Sequence, residues 1–577
     1  MARRRTVLCA CVCLAALGVA ALASGALLAA LLGPPPTPPP RPPPPPPPRL
    51  PPPPPPGLHD DLVLERARPP LRPQGSGRLE RVLHLDLKGA PPLAPFLRAT
   101  LALAADAGAT ALLVEYEDAF PYWGELANLS AHDAYSVQQV RDLVEMSEHL
   151  GMYVVPLVQT FGHLEMALKQ RQWAHLREER AHPDAICPSH PQTMPFISEM
   201  IRQVLELHPH SRYIHIGCDE VFHLGTCSRC RSQRLEDWQL FSRHVSAVVE
   251  AVRALRPAAV ALVWDDMLRR WPPAHVAASG LGRLVQPVVW AYGADVAAQV
   301  PRFAWHAYAR SFRQVWVASA FKGASGETAL APDLRRTAAN HAAWMRLVSG
   351  GVPGSEVDTP AFRGVVLTGW SRYDHFAALC ETLPVALPSL LLALLVVDEA
   401  ERQGPRAARG DLLAKVLPRW WSTLSCPRRS TPPSPSALEA DPYLWRPLSA
   451  CAFPGADAYA AVADVAVAVP KAELFLSEVR VRRGWLTPWH VSRNYSSPAR
   501  LAALAAEASA VAAELESAWA RAAAALSRHL PQAAVDEWLE QRLAPQRRAL
   551  GALRSQAAAL SGRDVWPRRP LPASVGD

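Results

Sequence analysis

The stretch Tyr213–Gly225, YIHIGCDEVFHLG, opens like a buried strand and closes on two adjacent carboxylates. Tyr213 to Ile216 is aromatic and β-branched, the composition that suits a pleated interior. Asp219 and Glu220 follow at once. Ionised side by side they repel each other, and burial adds to the cost. Seven further runs share this form of apolar stretch ending in polar residues: RVLHLDLKG, ALLVEYED, MYVVPLVQTFGH, ALVWDDM, LVQPVVWAYG, QVWVASAFKG and GVVLTGWSRYD. Most precede an amphipathic segment such as SVQQVRDLVEMSEHLG or FSRHVSAVVEAVRALR. Continuous apolar strands alternating with helices indicate a parallel sheet covered on both faces. Eight such units predict a closed (β/α)8 TIM barrel over residues 80–400. An open doubly wound sheet is the alternative, but HLDLKGAPP carries one glycine where a phosphate-binding loop needs several.

In a barrel the carboxy ends of the strands meet on one face, which carries the chemistry. Asp86 and Lys88 close the first run, Glu117 and Asp118 the second, His163 the third, and Asp219 and Glu220 the fourth. Asp265 and Asp266, Tyr292, Lys322, and Arg372 with Tyr373 and Asp374 close the others. Trp264, Trp290 and Trp370 fall at the same ends, and aromatic faces there suit the C–H face of a pyranose.

The rest of the chain places this body. It has 577 residues, 49% hydrophobic and 19% charged, enough to bury a large core. Sixty Lys+Arg against 52 Asp+Glu is a mild excess, scattered beyond the amino terminus, and predicts no nucleic-acid partner. After a short tail (1–5) containing Arg3, Arg4 and Arg5, residues 6–33 carry no charge. At about 1.5 Å per residue this run exceeds a hydrocarbon core of about 30 Å. It predicts an uncleaved signal anchor with the body in the lumen of the Golgi or another secretory compartment; a cleaved signal peptide is the alternative. Residues 34–75, beginning PPPTPPPRPPPPPPPRLPPPPPP, predict a stiff polyproline stalk. The sequons at Asn128 and Asn494 agree with a lumen. Residues 401–577 read as a linker and an Ala-rich helical region.

Of ten cysteines, Cys9, Cys11 and Cys13 lie in the apolar segment. Cys227 and Cys230 form CSRC with no second ligand pair following, so no metal and no cofactor is predicted. Structural disulfides, including a short Cys227–Cys230 loop, are expected, with Cys218 left as a thiol.

Three readings of the Asp-Glu pair compete: a structural cap, a metal site, or glycosidase chemistry. Ordinary glycosidases hold their two carboxylates about 5–10 Å apart across the scissile bond. Neighbouring residues suit substrate-assisted hydrolysis instead, in which the sugar's 2-acetamido oxygen attacks the anomeric carbon. Glu220 then protonates the leaving oxygen, its pKa raised by ionised Asp219, while Asp219 holds the acetamido N–H.

HIGCDE resembles the His-x-Gly-(small)-Asp-Glu signature of the family 20 β-N-acetylhexosaminidases, and TFGH and VWDDM resemble that family's Pro-Gly-His and Trp-Asp-Glu stretches. HLDLKGAPP, EYEDAFPYWG and TGWSRYDHF resemble the hexosaminidase D subgroup more specifically. The resemblance implies a (β/α)8 barrel with Asp219 and Glu220 catalytic. It implies sugar contacts from His163, Trp264, Trp290, Tyr292 and Trp370, joined on the rim by Asp86 and Asp374. Two positions depart from it: Asp86 and Lys88 stand where the family has a clamping arginine, and Ser371 and Arg372 where it has a glutamate. The expected function is an exo-β-N-acetylhexosaminidase acting on terminal β-linked GalNAc or GlcNAc of glycans, with oligomeric state left open. A carbohydrate-binding protein and a glycosyltransferase are the alternatives.

Overall fold

A computed structural model describes residues 78–351, 359–404 and 411–571. The tail, anchor and stalk expected at 1–75 lie outside the described residues, as do 76 and 77. Eight strands form a closed, all-parallel barrel: β1 (Glu80–Asp86), β2 (Ala111–Glu115), β3 (Tyr153–Leu157), β4 (Tyr213–His215), β5 (Val260–Trp264), β6 (Val285–Trp290), β7 (Val315–Lys322) and β8 (Phe362–Gly369). The barrel closes where β8 pairs with β1, Val366 opposite Val82 and Leu367 opposite Leu83. Each strand coincides with one of the eight apolar runs, β1, β5 and β8 starting one or two residues ahead of theirs, as expected of strands buried on both faces.

Side-chain alternation divides each strand between two cores. Val82, Leu113, Val155, Leu262, Trp316 and Val366 fill the barrel interior, while Leu83, Leu112, Val154, Val263 and Val365 pack outward under the helices. The helix after β2, Val137–His149, starts at a capping box between Ser136 and Gln139 and buries Val140, Leu143, Val144 and Ser147. That three- and four-residue spacing gives it one apolar stripe. At the amino end of the barrel, buried Arg81 pairs with Asp398 at 2.9 Å and with Glu401, both on helix Leu383–Gln403. Among the described residues that helix is long and apolar enough to cross a membrane, but its apolar window is 94% buried and serves as core.

Beyond the barrel, helices Ala456–Val481, Pro498–Leu526 and Ala544–Ser561 pack through buried alanines such as Ala508, Ala522 and Ala557. Helix Gln532–Arg542 reaches the barrel's carboxy rim, where Glu537 takes the Arg372 guanidinium at 2.7 Å and 2.5 Å. Cys426 and Cys451 form a disulfide in this region. The expected Cys227–Cys230 disulfide is absent. Both are free thiols whose sulfurs turn toward Cys187, which approaches from a hairpin, Arg177–Glu179 and His182–Ile186, inserted after β3. Cys218 is free and buried.

Candidate active site

The Asp-Glu pair does not sit on the strand. β4 ends at His215, and Gly217, Cys218 and Glu220 all adopt positive φ (66°, 70° and 48°). In an extended strand, neighbouring side chains would face opposite ways. The left-handed residues on either side of Asp219 break that alternation, so both carboxylates reach one group. His163 Nε2 lies 3.4 Å from Asp219 Oδ2 and 3.3 Å from Glu220 Oε2. His163 is itself at φ 51°. Non-glycine residues in this region are uncommon and carry strain that the surroundings must hold in place.

Gly162 is one of those holds. A Cβ built on it would fall 2.3 Å from the Asp219 carbonyl oxygen, so only glycine lets the β3 loop lie under the pair. Gly162→Ala is expected to cost about 1–3 kcal/mol of stability, measured by denaturant unfolding, because backbone must move to admit the methyl group. Activity should fall as well, since the atom displaced belongs to Asp219.

The electrostatics differ from the sequence expectation. Burial raises the pKa of Asp219 above the ordinary carboxylate range, and the nearby Glu220 charge adds to the rise against the pull of His163. Glu220, with a side chain 40% exposed, moves the other way: the His163 hydrogen bond lowers it, helped by the Arg270 guanidinium. Burial opposes charge on His163, yet Asp219, Glu220 and Glu165 together raise its pKa well above the usual histidine value. The pair is thus polarised opposite to the assignment in which Asp219 keeps Glu220 protonated.

Asp266 is a site residue whose role the sequence did not reveal. Its Oδ2 accepts the Glu220 backbone N–H at 2.9 Å, its Oδ1 accepts from Trp290 Nε1 at 3.3 Å, and burial with the Asp219 charge pushes its pKa up to about 7. Neighbouring Asp265 is structural, held by Arg269 and by the Tyr308 hydroxyl at 2.9 Å. Below the rim, the buried imidazole of His84 accepts from the Gly369 N–H on Nδ1, leaving Nε2–H to donate to Glu115 at 3.0 Å. Burial keeps His84 neutral. Gln159 completes this polar layer by donating to Glu115 at 3.1 Å. Asp219 Oδ1 is buried and lacks a hydrogen bond of good geometry among the described residues, the Gln159 amide being a polar neighbour of the carboxylate.

The predicted sugar contacts divide into two groups. Tyr292 accepts from Trp370 Nε1 at 3.0 Å and stacks on Trp290 at 5.3 Å, giving a partly exposed aromatic wall. Trp264 is 1% exposed and lies 5.8 Å from Trp370, so it forms the floor rather than an open platform. Asp86 is buried, with its Oδ2 taken by Lys88 Nζ at 2.9 Å and the Ser371 N–H at 2.7 Å. It locks β1 to β8 instead of facing ligand. Asp374 accepts the Phe376 and Ala377 N–H groups and shapes its own turn. Lys88 pairs with Glu117 at 3.1 Å and the His375 ring contacts its other oxygen, joining the β1, β2 and β8 ends into one polar network. Phe222, 57% exposed beneath Arg270, is a further aromatic beside Glu220, and no feature of the sequence pattern marks it.

Comparison with known proteins matches residues 110–294 to the catalytic domain of glycosyl hydrolase family 20, a span holding His163, Asp219, Glu220, Trp264, Trp290 and Tyr292. The chain is 35% identical to hexosaminidase D from Homo sapiens over 497 residues, 85% of this chain and 96% of that protein. The chain belongs to glycosyl hydrolase family 20. This family 20 chain is also 42% identical to hexosaminidase D from Bos taurus over 329 residues, 56% of this chain and 93% of that protein. It is a hexosaminidase D-like member and a glycoside hydrolase. A crystal structure of β-N-acetylhexosaminidase from Bacteroides fragilis aligns with a TM-score of 0.41 at 16% identity, covering 56% of this chain and 65% of that one.

Proposed function

We propose that the chain is an exo-β-N-acetylhexosaminidase that removes terminal β-linked GalNAc or GlcNAc by substrate-assisted, retaining catalysis. The acetamido carbonyl oxygen attacks the anomeric carbon as the glycosidic C–O bond breaks, and Glu220 gives its proton to the leaving oxygen. Asp219 accepts the acetamido N–H and balances the oxazolinium charge. Water, losing a proton to Glu220, then opens the ring with net retention. The observation that carries this reading is the buried Asp219 carboxylate, whose Oδ1 lacks a well-formed hydrogen bond, beside a more exposed Glu220. An acceptor left without a donor in the interior is costly unless a ligand supplies one. Trp290, Tyr292 and Trp370 offer the sugar an apolar wall, and Phe222 a surface on the leaving-group side.

Release of 4-nitrophenol from the β-GalNAc and β-GlcNAc glycosides tests the reaction, and the ratio of the two rates assigns the sugar preference. Binding of either sugar without turnover would favour a carbohydrate-binding protein, a reading prompted by Asp86, Lys88 and Arg372 being paired within the protein.

The pH dependence has a definite sign. The productive form needs Asp219 ionised and Glu220 protonated, whereas in the free site Asp219 is raised and Glu220 lowered. That form is therefore a minor one of the coupled pair, and kcat/KM should be highest on the acid side of neutrality and fall as pH rises. His163→Gln removes the group that holds Glu220 down. The alkaline limb of kcat/KM should move to higher pH, while a limb at the wild-type position would remove His163 from the titrating unit.

The reading extends to topology: the uncharged run 6–33 after Arg3–Arg5 anchors the body on the luminal side, and the exposed positions of Asn128 and Asn494 support it.

A further inference from the structure

A second cluster lies beside the active-site loop, built from two insertions separated by about forty residues of sequence. Glu178 stands in the first strand of the hairpin, and Cys187 directly follows its second strand. Cys227 and Cys230 flank the first turn of the short helix Ser228–Ser232, downstream of Glu220. Glu178, Cys187 and Cys230 are buried and Cys227 partly so, and one ligand atom from each comes within 4.8 Å of all the others.

The distances select among possible occupants. Cys187 Sγ lies 3.4 Å from Cys227 Sγ and 3.7 Å from Cys230 Sγ, and Cys230 Sγ lies 3.2 Å from Glu178 Oε2. A disulfide would bring two sulfurs to about 2.05 Å. Thiolates sharing a tetrahedral zinc at about 2.3 Å stand about 3.8 Å apart, near the observed spacing. Cys227 Sγ accepts the Cys230 N–H at 3.3 Å and Ser189 Oγ lies 3.1 Å from Cys230 Sγ, the kind of outer contact that orients metal-bound thiolates. An independent observation points the same way. Glu178 is 3% exposed, and its polar contacts are the Cys227 N–H at 2.9 Å and the Cys230 thiol rather than a basic side chain. A buried carboxylate among three thiols lacks a counter-charge, which a divalent cation would supply.

We propose that Cys187, Cys227, Cys230 and Glu178 form a structural Zn²⁺ site. Three sulfurs and a carboxylate in closed tetrahedral array suit zinc over magnesium or calcium, which take oxygen donors. The sequence expectation of no metal rested on finding no ligand pair after CSRC; here the partners lie upstream and the hairpin delivers them. The site would fasten the hairpin to the β4 loop. The hairpin already holds the His163 segment through Ile186 N–H to Phe161 O and Leu164 N–H to Asp184 O, both at 3.0 Å. Zinc would thereby fix His163 relative to Asp219 and Glu220 without touching substrate.

The test is the metal content of the full-length chain, purified without chelator and measured by plasma mass spectrometry. About one zinc per chain is expected, released into a colorimetric indicator by an organomercurial and reduced at least tenfold in Cys230→Ser and Cys187→Ser. Should those variants fail to fold, reconstitution of the wild-type chain with Co²⁺ decides: thiolate-to-cobalt charge-transfer bands and tetrahedral d–d bands support the site. A folded wild-type chain without zinc or cobalt bands, or a disulfide mapped between any two of Cys187, Cys227 and Cys230, would overturn it.

Discussion

Glu220→Gln is expected to lower kcat by about 10²- to 10⁴-fold, the usual contribution of a positioned general acid. Glutamine preserves the size of the side chain and its place near His163 but has no proton to give the leaving oxygen. The loss should depend on that oxygen. 4-Nitrophenolate leaves with little assistance, whereas a sugar or alkyl alkoxide does not, so the deficit should be larger on a disaccharide than on the nitrophenyl glycoside. Equal deficits on both substrates would place the role of Glu220 outside proton transfer. Because the Glu220 side chain is 40% exposed, the substitution should leave the unfolding midpoint nearly unchanged.

Asp219→Asn is expected to lower kcat by about 10²- to 10³-fold, the scale of removing one preorganised electrostatic contact to developing charge. An amide at this place can still accept a hydrogen bond, but it cannot balance an oxazolinium. Stability should respond in the opposite sense to activity. Burial raises the folded-state pKa of Asp219 above its unfolded value, so its ionised form weakens the fold once the pH exceeds that unfolded value. Asparagine removes that charge, and the melting temperature at neutral pH should hold or rise. A fall in both activity and stability would make Asp219 a structural anchor of the His163 loop.

The barrel was legible because parallel strands buried on both faces read as uninterrupted apolar runs, and every such run overlaps one strand. The catalytic end was legible for the same reason, since polar residues close each run at the face where the strands point. Less was visible where several distant segments meet. The positive φ values at Cys218 and Glu220 leave no mark in a composition pattern, so β4 reads longer than its three residues. Asp86 looks like a rim ligand until Ser371, 285 positions away, is found holding it. Trp264 and Trp370 both stand at the carboxy ends of their strands, yet the first, inside β5, lies in the barrel floor and the second, just past β8, in the wall. The Glu220 shift runs opposite to the sequence expectation because the sequence pairs it with Asp219 alone, whereas the fold adds His163 and Arg270. CSRC lacked visible partners because Glu178 and Cys187 belong to a hairpin that the barrel periodicity does not predict.

The central claim is that the substrate's own acetamido oxygen attacks the anomeric carbon while Asp219 holds the group in place. Its most direct test is kcat/KM for a series of 4-nitrophenyl 2-acetamido glycosides bearing zero, one, two and three fluorines on the acetyl methyl. Each fluorine withdraws electron density from the carbonyl oxygen and changes its bulk only slightly. A steep stepwise fall in kcat/KM is expected for the wild type, with a shallower slope in Asp219→Asn. Rates indifferent to fluorination would contradict the account and require a nucleophile from the protein or solvent.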